Sequence, residues 1–167
     1  MLSHPVYLFF CYHEHHMSVK LFLTGGTIDK RYDAISGKLD FSDSHFEQML
    51  VQSRARLPLS TEQLFLVDSL DMTDGQRLAI VEAVSNAEED HILVSHGTDT
   101  LIETASALGK SSLPNKTVVL FGAMLPFSVA VTSVQLLPPG VYVVMNGRVF
   151  DHDKVVKDLV IGEFKAL

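Results

Sequence analysis

Hydroxyl and carboxylate side chains fall in three short segments of this sequence, 24–29, 68–71 and 95–99, each directly after an apolar run. The segments supply the following hydroxyls and acids: Thr24, Thr27, Ser69, Thr98, Asp29, Asp71 and Asp99. The tail adds two amines, Lys154 and Lys157. A threonine hydroxyl is a weak nucleophile until a neighbouring base removes its proton, and a lysine desolvated in a pocket can be that base. This combination of side chains therefore favours nucleophilic acyl transfer.

Two adjacent glycines, Gly25 and Gly26, interrupt the first of these segments. Glycines adopt backbone angles that other residues avoid, and they allow a ligand to approach the main chain closely. The alternative is a tight turn in which the neighbouring threonines satisfy backbone groups. The pair also resembles half of a dinucleotide fingerprint, but the third glycine of that fingerprint is missing, which disfavours nucleotide binding.

Thr98 and Asp99 also have a structural interpretation. Both residues stand just before a predicted helix that begins near Thr100, where hydroxyl and carboxylate side chains often cap the first turn. The spacing alone leaves helix capping and chemistry equally open.

The apolar runs predict strands at 19–23, 64–67, 92–94, 117–121 and 141–145. Between them, capping patterns and apolar faces predict helices at 44–54, 73–86 and 100–109, which begin with the segments 44–47, 73–76 and 100–103. Strands that alternate with helices predict an α/β fold: a three-layer, open, mainly parallel sheet with helices on both faces, Rossmann-like or flavodoxin-like. The loops at the carboxyl ends of the strands, including 122–124, would gather along one edge.

Three other segments yield further predictions. Residues 33–43 are polar and contain glycine, which is typical of a mobile surface loop. Asn146 and Gly147 predict a hairpin turn that leads into a short arm at 148–150. The 18 residues from 123 to 140 are few for a parallel crossover, which needs a dozen or more, so this segment predicts a very short helix or a loss of residues.

The bulk composition limits the class of protein. A chain of 167 residues suits one domain, and 47% hydrophobic residues with a mean hydropathy of +0.21 indicate a surface covered in a homo-oligomer. A net charge of −7 argues against a nucleic-acid partner. Cys11 is the only cysteine, so no intramolecular disulfide can form, which fits the cytoplasm.

The amino end contains an apolar run at 6–12 followed by His-Glu-His-His at 13–16. The run is too short to span a bilayer, so we expect no membrane partner. Adjacent side chains of an extended segment point in opposite directions, so the histidines make a poor metal site. We expect residues 1–18 to be an extension outside the domain core.

Two of the segments, Thr24-Gly25-Gly26-Thr27-Ile28 and His96-Gly97-Thr98-Asp99-Thr100, resemble the two signature segments of the bacterial-type L-asparaginase/glutaminase family. Segments 68–72, 122–124 and 145–147 match in order and context. The resemblance covers about residues 19–157 and is closest to short, single-domain members. It implies that residues 19–167 form an asparaginase-type N-terminal α/β domain.

The resemblance implies an amidohydrolase that converts L-asparagine to L-aspartate and ammonia without a cofactor or metal, with L-glutamine as a second candidate substrate. By matching positions, Thr27 is the nucleophile and Tyr32 assists it, while Thr98, Asp99 and Lys157 form a second set of hydroxyl, acid and amine. The substrate-binding positions implied are Gly26, Ser69, Asp99 and Ala123. Ser69 would hold the α-carboxylate and Asp99 the α-ammonium of the substrate.

Two other functions remain open on the sequence. An amino-acid-binding protein of the same fold would keep the pocket with little or no turnover. A nucleotide-binding α/β domain is the third candidate. Leu70 also stands where long-chain members carry a polar side chain that contacts the substrate amino group, which predicts weaker substrate affinity.

Overall fold

The computed structural model describes residues 17–41 and 45–167, which form one central sheet, two small hairpins, four α-helices and one 3₁₀ helix (Thr27–Asp29). The strands are β1 (Val19–Gly25), β2 (Lys30–Asp33), β3 (Lys38–Phe41), β4 (Leu59–Val67), β5 (His91–Ser95), β6 (Thr117–Phe121), β7 (Gly140–Met145), β8 (Arg148–Asp151), β9 (Val155–Asp158) and β10 (Glu163–Ala166). The helices are α1 (Phe46–Ser53), α2 (Asp74–Asn86), α3 (Leu101–Gly109) and α4 (Phe127–Leu136).

The central sheet has the strand order β4-β1-β5-β6-β7-β8. Its first five strands are parallel, and only β8 runs antiparallel, at one edge. In order of appearance along the chain the parallel strands read 2-1-3-4-5, which is the flavodoxin-like order. Ile92, Leu93 and Val94 of β5 are fully buried, as expected for a continuous apolar run covered on both faces. The predicted fold class is confirmed.

Helices form a layer on each face of this sheet. On one face α2 packs against α3, which lies over β6 and β7, and on the other α1 packs against α4, which lies over β5 and β6. The rings of Phe46, Phe121 and Phe127 join α1, β6 and α4, with centroids 5.5 to 5.9 Å apart. Buried aromatic contacts of this kind hold both helices against the sheet.

The segment 33–43 was predicted to be a mobile surface loop, and for its described part this is wrong. Lys30–Asp33 and Lys38–Phe41 pair as an antiparallel hairpin, whose turn is stabilised by hydrogen bonds from the Ile35 and Ser36 N–H groups to the Asp33 carboxylate. Nearly all of its residues are exposed, so the strands carry no apolar pattern that would have revealed them. The tail forms a second hairpin, β9–β10, that the sequence did not predict.

The local turn and cap predictions have mixed outcomes. Thr73 and Gln76 form the predicted reciprocal capping box at the start of α2, and the Asn146-Gly147 turn joins β7 to β8 with φ angles of 51° and 71°. The capping box predicted at 100–103 is wrong, because the Thr100 hydroxyl donates to the Ser69 carbonyl at 2.7 Å instead. The box predicted at 44–47 depends on Ser44, which lies outside the described residues.

The short crossover between β6 and β7 nevertheless holds a helix of ordinary length. Helix α4 has 10 residues, so the prediction of a very short helix is wrong. A 10-residue helix is about 15 Å long, close to the span of a five-residue strand, so 18 residues are enough for the helix and both of its connections.

In the part of the chain that the structure describes, no helix has the length and apolar content needed to cross a membrane. The apolar run at 6–12 and the histidines at 13–16 lie outside the described residues. The division at residue 18 and the cytoplasmic location remain predictions.

Candidate functional site

The site is built on the carboxyl ends of β1 and β5, the neighbouring strands at which the strand order reverses. Leu23 pairs with Ser95 in register. The Thr24 hydroxyl donates to the Ser95 carbonyl at 2.6 Å, and the Thr24 N–H donates to Ser95 Oγ at 3.3 Å. Thr24 is fully buried, so its hydroxyl joins the two strands and does not face the edge. Ligands of open α/β sheets bind at this point of reversal.

Beyond these strands, three loops meet backbone to backbone. Gly26 has a φ of +88°, and a Cβ atom on it would lie 2.5 Å from the Gly97 nitrogen. A Cβ atom on Gly97 would in turn lie 2.5 Å from Ser69 Oγ. Only residues without side chains allow the loops after β1, β4 and β5 to approach this closely.

Thr98, Asp99 and Lys157 form a hydrogen-bonded cluster beside these glycines. The Lys157 Nζ donates to Thr98 Oγ1 at 3.0 Å and to Asp99 Oδ1 at 2.6 Å. The lysine side chain is 15% exposed and that of Asp99 45% exposed. Helix α3 has no side-chain cap bond at its start, so these contacts, and not helix capping, occupy both side chains.

Ser69 occupies the loop after β4 and is buried. The preceding residue, Asp68, accepts hydrogen bonds from Lys30 Nζ and from the Leu70 N–H, and both bonds lower the pKa of its carboxyl group. Lys30 thereby connects the β2–β3 hairpin to the residue before Ser69. This ion pair was not predicted, because nothing in the spacing of residues 30 and 68 indicates it.

The loop after β6 closes the fourth side of the cluster. A Cβ atom on Gly122 would lie 2.6 Å from the His96 carbonyl oxygen and 3.1 Å from Thr98 Cγ2. Ala123, the next residue, is exposed at the edge of the sheet. Ala123 is therefore a neighbour of the Thr98 loop.

Thr27 and Tyr32 lie outside the hydrogen-bonded cluster. Thr27 is exposed one residue after Gly26, at the same edge of the sheet as Thr98. Tyr32 lies on β2, is 64% exposed and pairs with Leu39. Across the described residues, neither side chain makes a hydrogen bond to the protein.

A buried histidine lies directly beneath Thr98. His96 Nδ1 is 2.8 Å from the Gly97 carbonyl oxygen, and Nε2 is 2.8 Å from the Thr104 hydroxyl. Burial lowers the pKa of the imidazole from 6.5 to about 4, so the ring is neutral at pH 7. His96 was not among the predicted site residues, although a histidine that directly follows a buried strand is a signal that could have indicated it.

The edge thus combines hydroxyls, an acid and an amine in one place. Asp29 is fully buried and Asp71 is exposed in a turn, so Asp99 is the acid that contacts the lysine. Within residues 17–41 and 45–167, no three His, Cys, Asp or Glu side chains are grouped to hold a metal ion. The groups present suit acid–base and nucleophilic chemistry on a small polar molecule.

The protein is therefore a flavodoxin-like α/β protein. Its polar loops lie at the strand-order reversal, where proteins of this class bind ligands or carry their active sites. Residues 18–158 match the N-terminal domain of asparaginases, and the chain belongs to the asparaginase family.

Relatives and solved structures agree with this assignment. The L-asparaginase of Thermococcus kodakarensis is 29% identical over 83% of this chain and 47% of its own length. One component of the glutamyl-tRNA(Gln) amidotransferase of Aeropyrum pernix is 35% identical over 50% of this chain and 21% of its own. A probable cytoplasmic L-asparaginase of Campylobacter jejuni superposes with a TM-score of 0.75 at 27% identity, covering 89% of this chain and 52% of that one. The chain therefore spans about half the length of these relatives or less.

Gly97→Ala tests the close packing of the loops. The added methyl group would overlap the Ser69 side chain, so we expect the free energy of unfolding to fall by about 1–3 kcal/mol. Gly75→Ala is the matched control. Gly75 lies in α2, and a Cβ atom on it would lie 3.9 Å from its nearest neighbour, Thr73 Oγ1, so this variant should raise the free energy of unfolding by about 0.5–1 kcal/mol. Urea denaturation measures both, and equal stabilities would contradict the packing described.

His96 predicts a pH dependence of stability. Its pKa is lower in the folded than in the unfolded chain, so unfolding takes up a proton between about pH 4 and 6.5 and stability falls as the pH falls. From pH 7 to 4.5 we expect a loss of about 2 kcal/mol from this group. Between pH 7 and 4.5, the free energy of unfolding measured by urea denaturation should fall by this amount more for the native chain than for His96→Gln. Equal falls in the two proteins would show that His96 is not buried as described.

Proposed function

We propose that this chain is an amidohydrolase that converts L-asparagine to L-aspartate and ammonia through a threonine nucleophile. The observation that carries the proposal is the cluster of Thr98, Asp99 and Lys157 at the strand-order reversal of an asparaginase-family domain. Every catalytic group in the proposed reaction is a protein side chain or a backbone amide, and water is the second substrate. No cofactor enters the mechanism.

Thr27 is the proposed nucleophile. It is exposed, it follows the glycine that packs against Gly97, and its hydroxyl makes no hydrogen bond within the described chain that would occupy it. Attack of Thr27 Oγ1 on the amide carbon forms an acyl-enzyme, and the hydroxyl proton leaves with the nitrogen as ammonia. Water then hydrolyses the ester and releases aspartate. Tyr32, on the adjoining exposed hairpin, is the residue proposed to assist Thr27.

Thr98, Asp99 and Lys157 supply the second proton-transfer group. Lys157 is mostly buried and donates to both partners, so its Nζ is fixed in position relative to the Thr98 hydroxyl. In the proposed reaction the Asp99 carboxylate orients the amine. The amine exchanges a proton with the Thr98 hydroxyl, which passes a proton to the leaving ammonia or takes one from the attacking water.

A zwitterionic amino acid needs one anion for its ammonium group and several donors for its carboxylate. Asp99 is the exposed acid of the cluster and is the proposed partner of the α-ammonium. Ser69 and the backbone at Gly26 lie against Gly97 and are the proposed donors to the α-carboxylate. Leu70 is 72% exposed and supplies no polar group, so recognition of the ammonium depends on Asp99.

The developing oxyanion needs backbone donors aimed at it. The N–H groups of Thr98 and Ala123 belong to two loops that meet at Gly122, and we assign this role to them. L-Glutamine is the second candidate substrate, because one extra methylene group changes binding by only about 1–3 kcal/mol.

Thr27→Ala tests the nucleophile. Ammonia release from L-asparagine should fall by roughly three orders of magnitude or more, as expected when a covalent step is lost. Thr132→Ala, an exposed threonine on α4, is the matched control and should release ammonia at the native rate. Enzyme-coupled ammonia detection at saturating substrate makes the comparison.

Three results would contradict the proposal. Full activity of Thr27→Ala would remove Thr27 from the reaction. Negligible release from both the native chain and the variant, with L-aspartate still binding in calorimetry, would favour the amino-acid-binding protein. Binding of nucleotides with no affinity for either amino acid would favour the nucleotide-binding domain.

We also propose a homodimer or homotetramer. Leu159, Val160 and Ile161 form the turn of the β9–β10 hairpin and are 83%, 93% and 63% exposed, so three adjacent aliphatic side chains face solvent. Burying such a patch stabilises association. Light scattering should give a multiple of 18.5 kDa for the native chain and a smaller mass for Val160→Asp. Val51→Asp, also exposed, on α1, should leave the mass unchanged, and a native monomer would contradict the proposal.

A further inference from the structure

His96 is a fully buried polar side chain that the proposed reaction does not use. The ring sits below the loop 96–100, between that loop and the first turns of α3. Both of its nitrogens have neighbours: the Gly97 carbonyl oxygen at Nδ1, and the Thr104 hydroxyl and Met72 sulfur at Nε2. A buried polar network that is fully satisfied rigidifies the groups it contacts.

The neighbours determine which nitrogen carries the proton. A carbonyl oxygen can only accept, so a bond at 2.8 Å requires the proton on Nδ1. Nε2 is then an acceptor, and the Thr104 hydroxyl, at 2.8 Å and fully buried, is its donor. Without that hydroxyl, Met72 Sδ at 3.1 Å would be the only neighbour of Nε2, and it could accept from the opposite tautomer.

The bond to the Gly97 carbonyl also fixes the peptide between Gly97 and Thr98. The described chain has no cis peptide bonds, so the N–H of Thr98 points in the direction opposite to the Gly97 carbonyl. The carbonyl faces the buried ring, and the N–H therefore faces away from the ring. Within the described residues this N–H donates to no protein acceptor.

We infer that His96 is a positioning residue, held in its Nδ1–H tautomer by Thr104, that aims the Thr98 N–H at the developing oxyanion. The inference rests on the proposed amidohydrolase function and adds the origin of the donor's orientation. An oxyanion donor accelerates a reaction only if it is fixed before charge develops, since no energy is then spent on reorientation. A buried neutral imidazole supplies that rigidity, whereas a protonated one would lose the bond from Thr104.

The kinetic test compares Thr104→Val, which keeps the shape of the side chain without its hydroxyl, with Thr104→Ser, which keeps the donor. We expect Thr104→Val to lower kcat roughly tenfold or more. Loss of a full oxyanion donor lowers kcat by about 10²–10³-fold, and a donor that points in the wrong direction should lower it by part of that factor. KM should stay within about twofold, since the groups that hold the substrate ends are unchanged. Thr104→Ser should restore kcat. Equal kcat for the two folded variants would overturn the inference.

The tautomer can be measured without any catalytic activity. In the native chain with ¹⁵N-labelled histidine, two-bond ¹H–¹⁵N spectra at pH 7 should show one ring protonated at Nδ1 and bare at Nε2, and this signal should be absent from His96→Gln. A proton on Nε2 would overturn the inference even if Thr104→Val fails to fold.

The two readouts separate this inference from the proposed function. Ammonia release by the native chain together with an Nε2–H ring would leave the amidohydrolase intact and remove the role of His96. Absence of ammonia release in the native chain would remove the proposed function, and the catalytic role of His96 with it, whatever the tautomer.

Discussion

The contact between Gly26 and Gly97 determines the geometry of this molecule's functional edge. The parallel strands β1 and β5 bring the loops that follow them to the same edge of the sheet. Side chains at the positions of these glycines would keep the two loops several ångströms apart. Because Gly26 has no Cβ atom, its backbone packs against that of Gly97, and because Gly97 has no Cβ atom, Ser69 packs against it from the third loop. The pairing of Leu23 with Ser95 then sets the register in which Thr27 and Thr98 leave the sheet. A single methyl group would disturb all three loops.

The polar cluster on this base does little to stabilise the fold. Lys157 is largely buried, but Asp99 is nearly half exposed, and an ion pair of that kind contributes at most about 1 kcal/mol. The stability comes instead from the apolar strands and from the aromatic contacts of Phe46, Phe121 and Phe127. A gain this small leaves the contacts of Lys157 with Thr98 and Asp99 compatible with the proton-transfer role proposed for them.

The apolar runs of the sequence predicted four of the five parallel strands well, because each of these is a short apolar run. The edge strand β4 begins at Leu59, five residues before the predicted start, because its first half is largely polar and exposed. The apolar runs could not predict the β2–β3 hairpin, whose exposed strands bury no face. The length of the crossover alone does not indicate that the 10 residues of α4 fit within it. At the site, the pairing of Lys157 with Thr98 and Asp99, which lie almost 60 positions earlier in the chain, followed only from the family resemblance. The buried bonds of His96 link separate elements and have no sequence pattern.

A crystal structure of the chain with L-aspartate bound tests the proposed site most directly. We expect one amino acid between the loops after β1 and β5, with its α-ammonium on Asp99, its α-carboxylate at Ser69, and Thr27 Oγ1 within about 3.5 Å of the side-chain carboxyl carbon. L-Aspartate bound elsewhere, or bound at this edge with Thr27 Oγ1 turned away beyond reach of that carbon, would contradict it.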